Sequence, residues 1–357
     1  MNRTRKPLRR TIDQQRVQVW YGWLRQLSKR STAYALEKQL LPEGFARATD
    51  GSLSHRNRMV RYREGKHVPR SELVARAETR FPGGRALLEH PYWEILDPDR
   101  DVSVCAAAWL ARLGADVQRL MYRPSRFVVD HVAKRRPITN VSLRQLENLG
   151  TFEALAATTL LLRETLQAGN SLRAHCCAAS FWRLLLLIGS SVPFFDVLPA
   201  MAELADKALL HQVVHRGEQV ALTSVPIRRY EGLLRGYCLA REDRGTMGPD
   251  HASWVRERLL LIRGKKGFDV QHAFRVPVIA TPALQADPEM YANFLQDQMV
   301  RRMALDYCTK ARWAHRVFID DLMAFYNDPE GHWPAVDSVV KPLIPRPDRA
   351  DSQRAIA

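Results

Sequence analysis

Two residues four apart, Gly65 and Pro69, constrain this chain more than any other pair. They stand inside S-H-R-N-R-M-V-R-Y-R-E-G-K-H-V-P-R-S-E-L-V-A-R-A-E, residues 54–78. Glycine reaches the left-handed conformation that ends a helix without a Cβ clash. Proline fixes φ and can open a helix, whose first N–H has no intrahelical partner in any case. The spacing predicts a short basic helix, a tight turn, and an amphipathic helix from about Ser71 to Arg80. In the basic helix Met59, Val60 and Tyr62 are the apolar members. Around them stand Arg56, Asn57, Arg58, Arg61 and Arg63. So many guanidinium groups suit a groove lined with phosphates better than a protein interior.

Charge supports that reading through its distribution. The 357-residue chain has a net charge of +16, and residues 1–80 hold 19 of its 54 Lys/Arg but 7 of its 38 Asp/Glu. Three quarters of the excess therefore lies in the first quarter of the chain. A basic patch this localised is the electrostatic footprint of a nucleic-acid-binding module. The length allows two or three domains, and 46% hydrophobic content allows each a core. The five cysteines, Cys105, Cys176, Cys177, Cys238 and Cys308, are odd in number and include no C-x-x-C. That argues against a disulfide framework or a zinc site and for a reducing cytoplasm. The basic N-terminus has no apolar h-region, so no secretory signal is expected. The most apolar run, Leu184 to Phe195, is short and broken by Gly189 and Pro193. It reads as a buried helix and turn, not as a membrane span of about 20 residues.

In chain order, residues 1–11 read as a basic arm, disordered when free. Apolar spacing from Ile12 to Ser28 predicts a helix. Ser31-Thr32 offers an N-cap for a second, A-Y-A-L-E-K-Q-L-L, with Ala35, Leu36, Leu40 and Tyr34 as its inward members. A loop follows from Leu41, and Ser52 or Ser54 is expected to cap the basic helix. Leu73, Val74 and Ala77 face inward in the helix after Pro69, and Phe81-Pro82-Gly83-Gly84 stops it.

Residues 54–78 resemble the second half of a phage-repressor-like (XRE-type) helix-turn-helix domain. The resemblance rests on Tyr62-Arg63-Glu64-Gly65-Lys66-His67-Val68-Pro69, with S-T-A-Y-A-L-E-K-Q-L similar to the family's preceding helix. It covers about 70 of the 357 residues. It implies a DNA-binding domain over 12–84, in which Ala35 or Ala33 packs closely against the recognition helix. It further implies that Met59 packs inward and Tyr62 seals the core. His55, Arg56, Asn57, Arg58 and Arg61 would then face base edges, where Arg suits guanine and Asn suits adenine. Arg63, Lys66 and Arg70 would sit at phosphates. One departure is plain: about twelve residues, Leu41 to Ser52, replace the family's tight turn between the second and third helices.

Residues 85–101 read as a linker in which Tyr92, Trp93, Ile95 and Leu96 dock one domain on the next. Residues 102–340 read as one helical domain. Expected in it are helices over Val102–Met121, Phe127–Lys134, Ser142–Gln167, Ser171–Ile188, Phe194–Val214, Pro226–Glu242, His251–Ile262 and Glu289–Tyr326. Residues 268–281 are β-prone, and 341–357 are expected to be a disordered tail. The expected fold is thus all-α: a four- to five-helix repressor-like domain, then a larger multi-helix domain with at most a short β element.

Other constellations carry less. His211 and His215 would share a helix face with Asp206 or Glu203 near, but lie outside any metalloprotease motif. His175-Cys176-Cys177 reads as core. Asp320-Asp321 and Asp328-Pro329-Glu330 read as a helix end and turn. Gly264-Lys265-Lys266-Gly267 is a basic turn that could reach a second phosphate. No phosphate loop, nucleophile elbow or dinucleotide fingerprint appears, so no enzyme, cofactor or metal is expected. The expectation is a cytoplasmic, bacterial-type transcriptional regulator that binds duplex DNA and meets itself or a protein partner through its helical domain. The competing expectation is a helical adaptor of a mobile element or phage-defence system, binding nucleic acid or protein without sequence preference.

Overall fold

Helix α1 (Arg5–Ser28) belongs to two hydrophobic cores at once. Its Val17, Trp20, Tyr21 and Leu24 join a small cluster with residues 33–88, and its Ile12 and Val19 join a large one with residues 92–308. The computed structural model describes residues 5–45, 57–123, 134–248, 250–310 and 323. The helix begins at Arg5 rather than at Ile12, so residues 5–11 extend it instead of forming a free arm. Leu8 gives the reason, because it packs against the larger core.

The small cluster closes with four further helices. Helix α2 (Ala33–Leu40) starts at Thr32, whose hydroxyl accepts from the Ala35 N–H at 3.1 Å. Ala33, Leu36 and Leu40 are buried, while Ala35 is half-buried and Tyr34 is 54% exposed. Of the two alanines named for close packing, Ala33 is the buried one. A 3-10 turn (Pro42–Phe45) leads away from α2. Helices α3 (Arg58–Arg63), α4 (Ser71–Arg80) and α5 (Gly84–Leu88) follow. Leu73, Val74, Ala77 and Phe81 are buried beneath α4. Tyr62 meets Trp20 edge-on, with ring centroids 5.7 Å apart, a favoured aromatic geometry.

The larger core begins with α6 (Pro91–Ile95), inside the expected linker, and Tyr92, Trp93, Ile95 and Leu96 are all buried in it. Helices α7 (Val102–Ala111), α8 (Ala115–Met121), α9 (Asn140–Leu149), α10 (Phe152–Gln167) and α11 (Ser171–Gly189) come next. Thr139 is the N-cap of α9, and Ser142 closes the capping box three residues later. Gly150, at φ +61°, ends α9, and the Thr151 hydroxyl caps α10. The packed pair α10 and α11 forms the centre. By length and composition α11 could cross a membrane, yet 67% of its apolar window is buried inside the protein.

Helix α12 (Leu198–Ala208) ends well before Val214, where the sequence pattern had it end. It gives way to a 3-10 turn and a small antiparallel sheet in the order β1 (Val214–His215), β2 (Glu218–Val220), β3 (Val278–Ala280). Between β1 and β2, Arg216 (φ +52°) and Gly217 (φ +78°) make the two-residue turn, the primed type that matches strand twist. Helices α13 (Ile227–Asp243), α14 (His251–Ile262), α15 (Phe268–Ala273), α16 (Pro282–Gln285) and α17 (Pro288–Lys310) complete the described chain. The fold is all-α with one short sheet. Beyond Leu8, Ile12 and Val19, three further contacts tie α1 to the larger body. The buried Gln15 amide donates to the Ala200 carbonyl, Arg25 pairs with Asp196, and Gly22 lies against Pro193.

His55 and Arg56, most of the expected Phe127–Lys134 helix, the acidic pairs at Asp320 and Asp328, and the tail 341–357 lie outside the described residues.

Candidate nucleic-acid interface

Helix α3 is held from below by its own apolar members. Met59 is fully buried and Tyr62 nearly so, whereas Asn57, Arg58, Arg61 and Arg63 are exposed. Its start differs from expectation. Asn57, in a left-handed conformation (φ +48°), stands at the N-cap, so the helix begins at Arg58; Ser52 and Ser54 lie outside the described residues. The physical cause is Glu37 on α2. Its buried carboxylate accepts the Met59 N–H at 3.1 Å, satisfying a first-turn donor and answering the positive end of the helix. Asparagine is among the few side chains that tolerate the left-handed turn this requires. The helix closes as expected: Gly65 has φ +67°, and Lys66 N–H returns to the Arg61 carbonyl at 2.8 Å.

Between α3, α4 and the 3-10 turn opens a cleft of about 690 Å³. Arg58 and Arg61 line it from α3, and His67 and Arg70 from the turn after Gly65. Arg76 of α4 closes one side. It donates to the Leu40 carbonyl at 3.2 Å, pairs with Glu43, and lies 3.6 Å from Glu72. Glu43's own backbone N–H and Arg76 hold its carboxyl below the usual carboxylate range. Arg76 is thus an answered charge that braces the wall. Arg58, Arg61 and Arg70 make no ion pair among the described residues. With Arg76 the lining holds four arginines against Glu43 and Glu72, and an excess of cations in a concave site concentrates a positive potential there.

The structure regroups the residues named from sequence. Arg58 and Arg61, expected at bases, share the cleft with Arg70, expected at a phosphate. Arg63 does not join them. At about 100° per residue it falls roughly opposite Arg61 on the helix, and it faces Tyr21 of α1. Burial raises the Tyr21 hydroxyl's pKa, and the charges of Arg63 and Arg25 work against that rise. Lys66 is exposed and paired with Glu64 at 2.7 Å. His67 and Arg76 are lining residues that the sequence had not marked. Arg76 has a local partner in Glu72, four residues earlier, but the contacts that set it in the wall, to Glu43 and Leu40, lie 33 and 36 residues away.

The remaining candidates resolve as structure. His211 lies in a 3-10 turn and His215 in β1, so they share no helix face. His215 instead approaches His175, with ring centroids 5.6 Å apart, and burial lowers the pKa of His175. Among the described residues no group of His, Cys, Asp and Glu is placed to hold a metal ion. Cys177 is buried and its thiol is pushed up to about 12 by that burial. In the basic turn after α14, Lys266 pairs with Glu257 at 3.3 Å and Lys265 is exposed. No known protein family, curated protein or solved structure matches this chain.

Proposed function

We propose that this chain is a DNA-binding protein that grips a duplex through the cleft between α3 and α4 and regulates transcription at the site it occupies. The observation that carries the reading is the convergence of Arg58, Arg61 and Arg70, without ion-pair partners among the described residues, on one concave surface. Their position is fixed from beneath by Met59 and Tyr62. Arg58 and Arg61 project from the outward face of α3, where a major groove would present guanine O6 and N7. Arg70, and Arg63 on the far flank, would hold the two backbones that border the groove. The larger helical body would supply self-association or a partner surface. The five cysteines, all free thiols, suit a cytoplasmic setting.

A second reading is favoured by one feature. Helix α3 is six residues long and starts at a left-handed Asn57, so it offers few side chains for base edges. Domains of this kind use three or four. An adaptor that holds nucleic acid without base preference needs no more than the cations.

Selection of bound duplexes from a random pool separates the two. The regulator reading expects an enriched site, and Arg58→Ala should relax preference at one position with a loss of about 1–3 kcal/mol. Retention of the pool without enrichment would support the adaptor. Failure to retain any duplex would remove the regulator reading, and duplex DNA as the ligand of the adaptor.

A further inference from the structure

Arg63 points away from the cleft, and what lies beyond it on that flank is a second row of cations. Tyr62 of α3 meets Trp20 of α1 edge-on, so α3 packs on the stretch of α1 that carries Arg25 five residues later, and the charges of Arg63 and Arg25 both act on Tyr21. Arg25 pairs with Asp196, just before α12. At the same place Arg228 of α13 donates to the Phe195 carbonyl, and to the Asp196 carbonyl at 2.9 Å. Its guanidinium lies 5.0 Å from the Phe195 ring centroid, and that of Arg235 lies 5.8 Å away. α1 therefore stands between α3 and the Phe195–α13 face and touches both.

We propose that nucleic acid held at α3 continues across α1 onto the Phe195–α13 face, where Arg228 and Arg235 contact its phosphate backbone. The inference rests on the DNA-binding reading above. Its partner is fixed by charge. Asp196 is answered by Arg25, and Glu231 is buried, its carboxyl acted on by the charges of Arg228 and Arg235. Arg63, Arg228 and Arg235 are exposed and make no ion pair among the described residues. The shape agrees. Arg228 and Arg235 are two turns apart on one face of α13, about 10 Å, or roughly three phosphates along one strand. Gly232 between them, and Gly236 just past Arg235, have nothing within 4 Å of where a Cβ would stand. With Glu231 buried, Gly232 leaves the face between the arginines open to a backbone. Phe195 and the two carbonyls hold the guanidinium of Arg228 in place, which lowers the entropy lost on contact.

The test compares binding of a duplex of about one helical turn, enough for α3, with one of about three turns. For the full chain the longer duplex should bind more tightly and with a steeper salt dependence. Arg228→Ala/Arg235→Ala should weaken the long duplex by about tenfold and lower its log–log salt slope by about two, leaving the short duplex unchanged. Arg235→Ala alone, which removes no hydrogen bond to the backbone, should show half of that slope change. Arg235→Lys should restore it. If the full chain binds both duplexes but the variants match it on the long one, this inference is overturned and the DNA-binding reading stands. If the full chain binds neither, both are overturned.

Discussion

A Cβ on Gly65 would stand 2.6 Å from the carbonyl oxygen of Gln14 and 2.9 Å from its Cα. The turn that ends α3 therefore lies directly on the backbone of α1. Neighbouring Gln15 reaches the other way, to Ala200 of the larger body. Two adjacent residues of α1 thus carry the proposed nucleic-acid surface and its attachment to the rest of the chain.

Gly65→Ala should accordingly be severe. The left-handed backbone costs an alanine about 1–2 kcal/mol, and the methyl would push on backbone rather than on a side chain that can move. A loss of at least about 2 kcal/mol in denaturant unfolding is expected, together with loss of duplex binding. A variant as stable as the native chain would show that the approach of α3 to α1 is wrong.

Glu37 acts on the interface without touching it. Glu37→Ala leaves the Met59 N–H buried and unpaired, at a cost of about 1–3 kcal/mol. It should also weaken duplex binding, because the start of α3 and the aim of Arg58 depend on that bond. Urea melts and a binding titration of one preparation check both effects. An unchanged affinity would detach Glu37 from the aim of Arg58.

Acid should unfold the larger core through His90. Its ring packs on Phe152, with centroids 4.3 Å apart, and its Nδ1 accepts the Tyr92 N–H at the start of α6. Burial, aided by Arg112, lowers its pKa to about 3. The unfolded chain, with an ordinary histidine near 6.5, binds the proton first as pH falls. The stability contributed by neutral His90 is therefore complete above about 6.5 and drains away between there and 3. His90→Asn keeps a capping side chain and removes the titration, so its melting temperature should fall less between pH 7 and pH 5. Parallel curves for the two proteins would rule His90 out.

Thiol reagents should sort the cysteines by depth. Cys177, Cys238 and Cys308 are buried, and burial pushes each thiol up, to about 12 for Cys177. Cys105 and Cys176 are half-exposed. At pH 8 the folded chain should label at Cys105 and Cys176, and at the other three only after denaturation. Peptide mapping by mass spectrometry reads the pattern.

The parts legible in the sequence were those set by neighbours along the chain. Gly65 and Pro69 act through their own backbone, so the limits of α4 followed from spacing, while the burial of Met59 and Tyr62 was what the resemblance implied. The start of α3 did not, because Glu37, 22 residues earlier, fixes it through a buried contact. The cleft was half legible. Its arginines stood out as a charge run, but Arg76, Glu43 and Leu40 meet across the tertiary fold. Strand β3 falls in the run 268–281 read as β-prone, but β1 and β2 were missed for a local reason. The turn H-R-G-E lacks the Asn-Gly or Asp-Gly signal, and Gly217 is required there also because a Cβ would come within 2.9 Å of the Leu284 Cβ.

The most direct test of the DNA-binding reading is duplex affinity across a salt series for the native chain and for Arg58→Ala/Arg61→Ala/Arg70→Ala. Arg119→Ala, which removes an exposed arginine paired with Asp116 on α8, serves as the control. The prediction is a steep log–log fall of affinity with salt, a slope smaller by about three in the triple variant, and no change in the control. A flat salt response, or equal slopes in all three proteins, would contradict it.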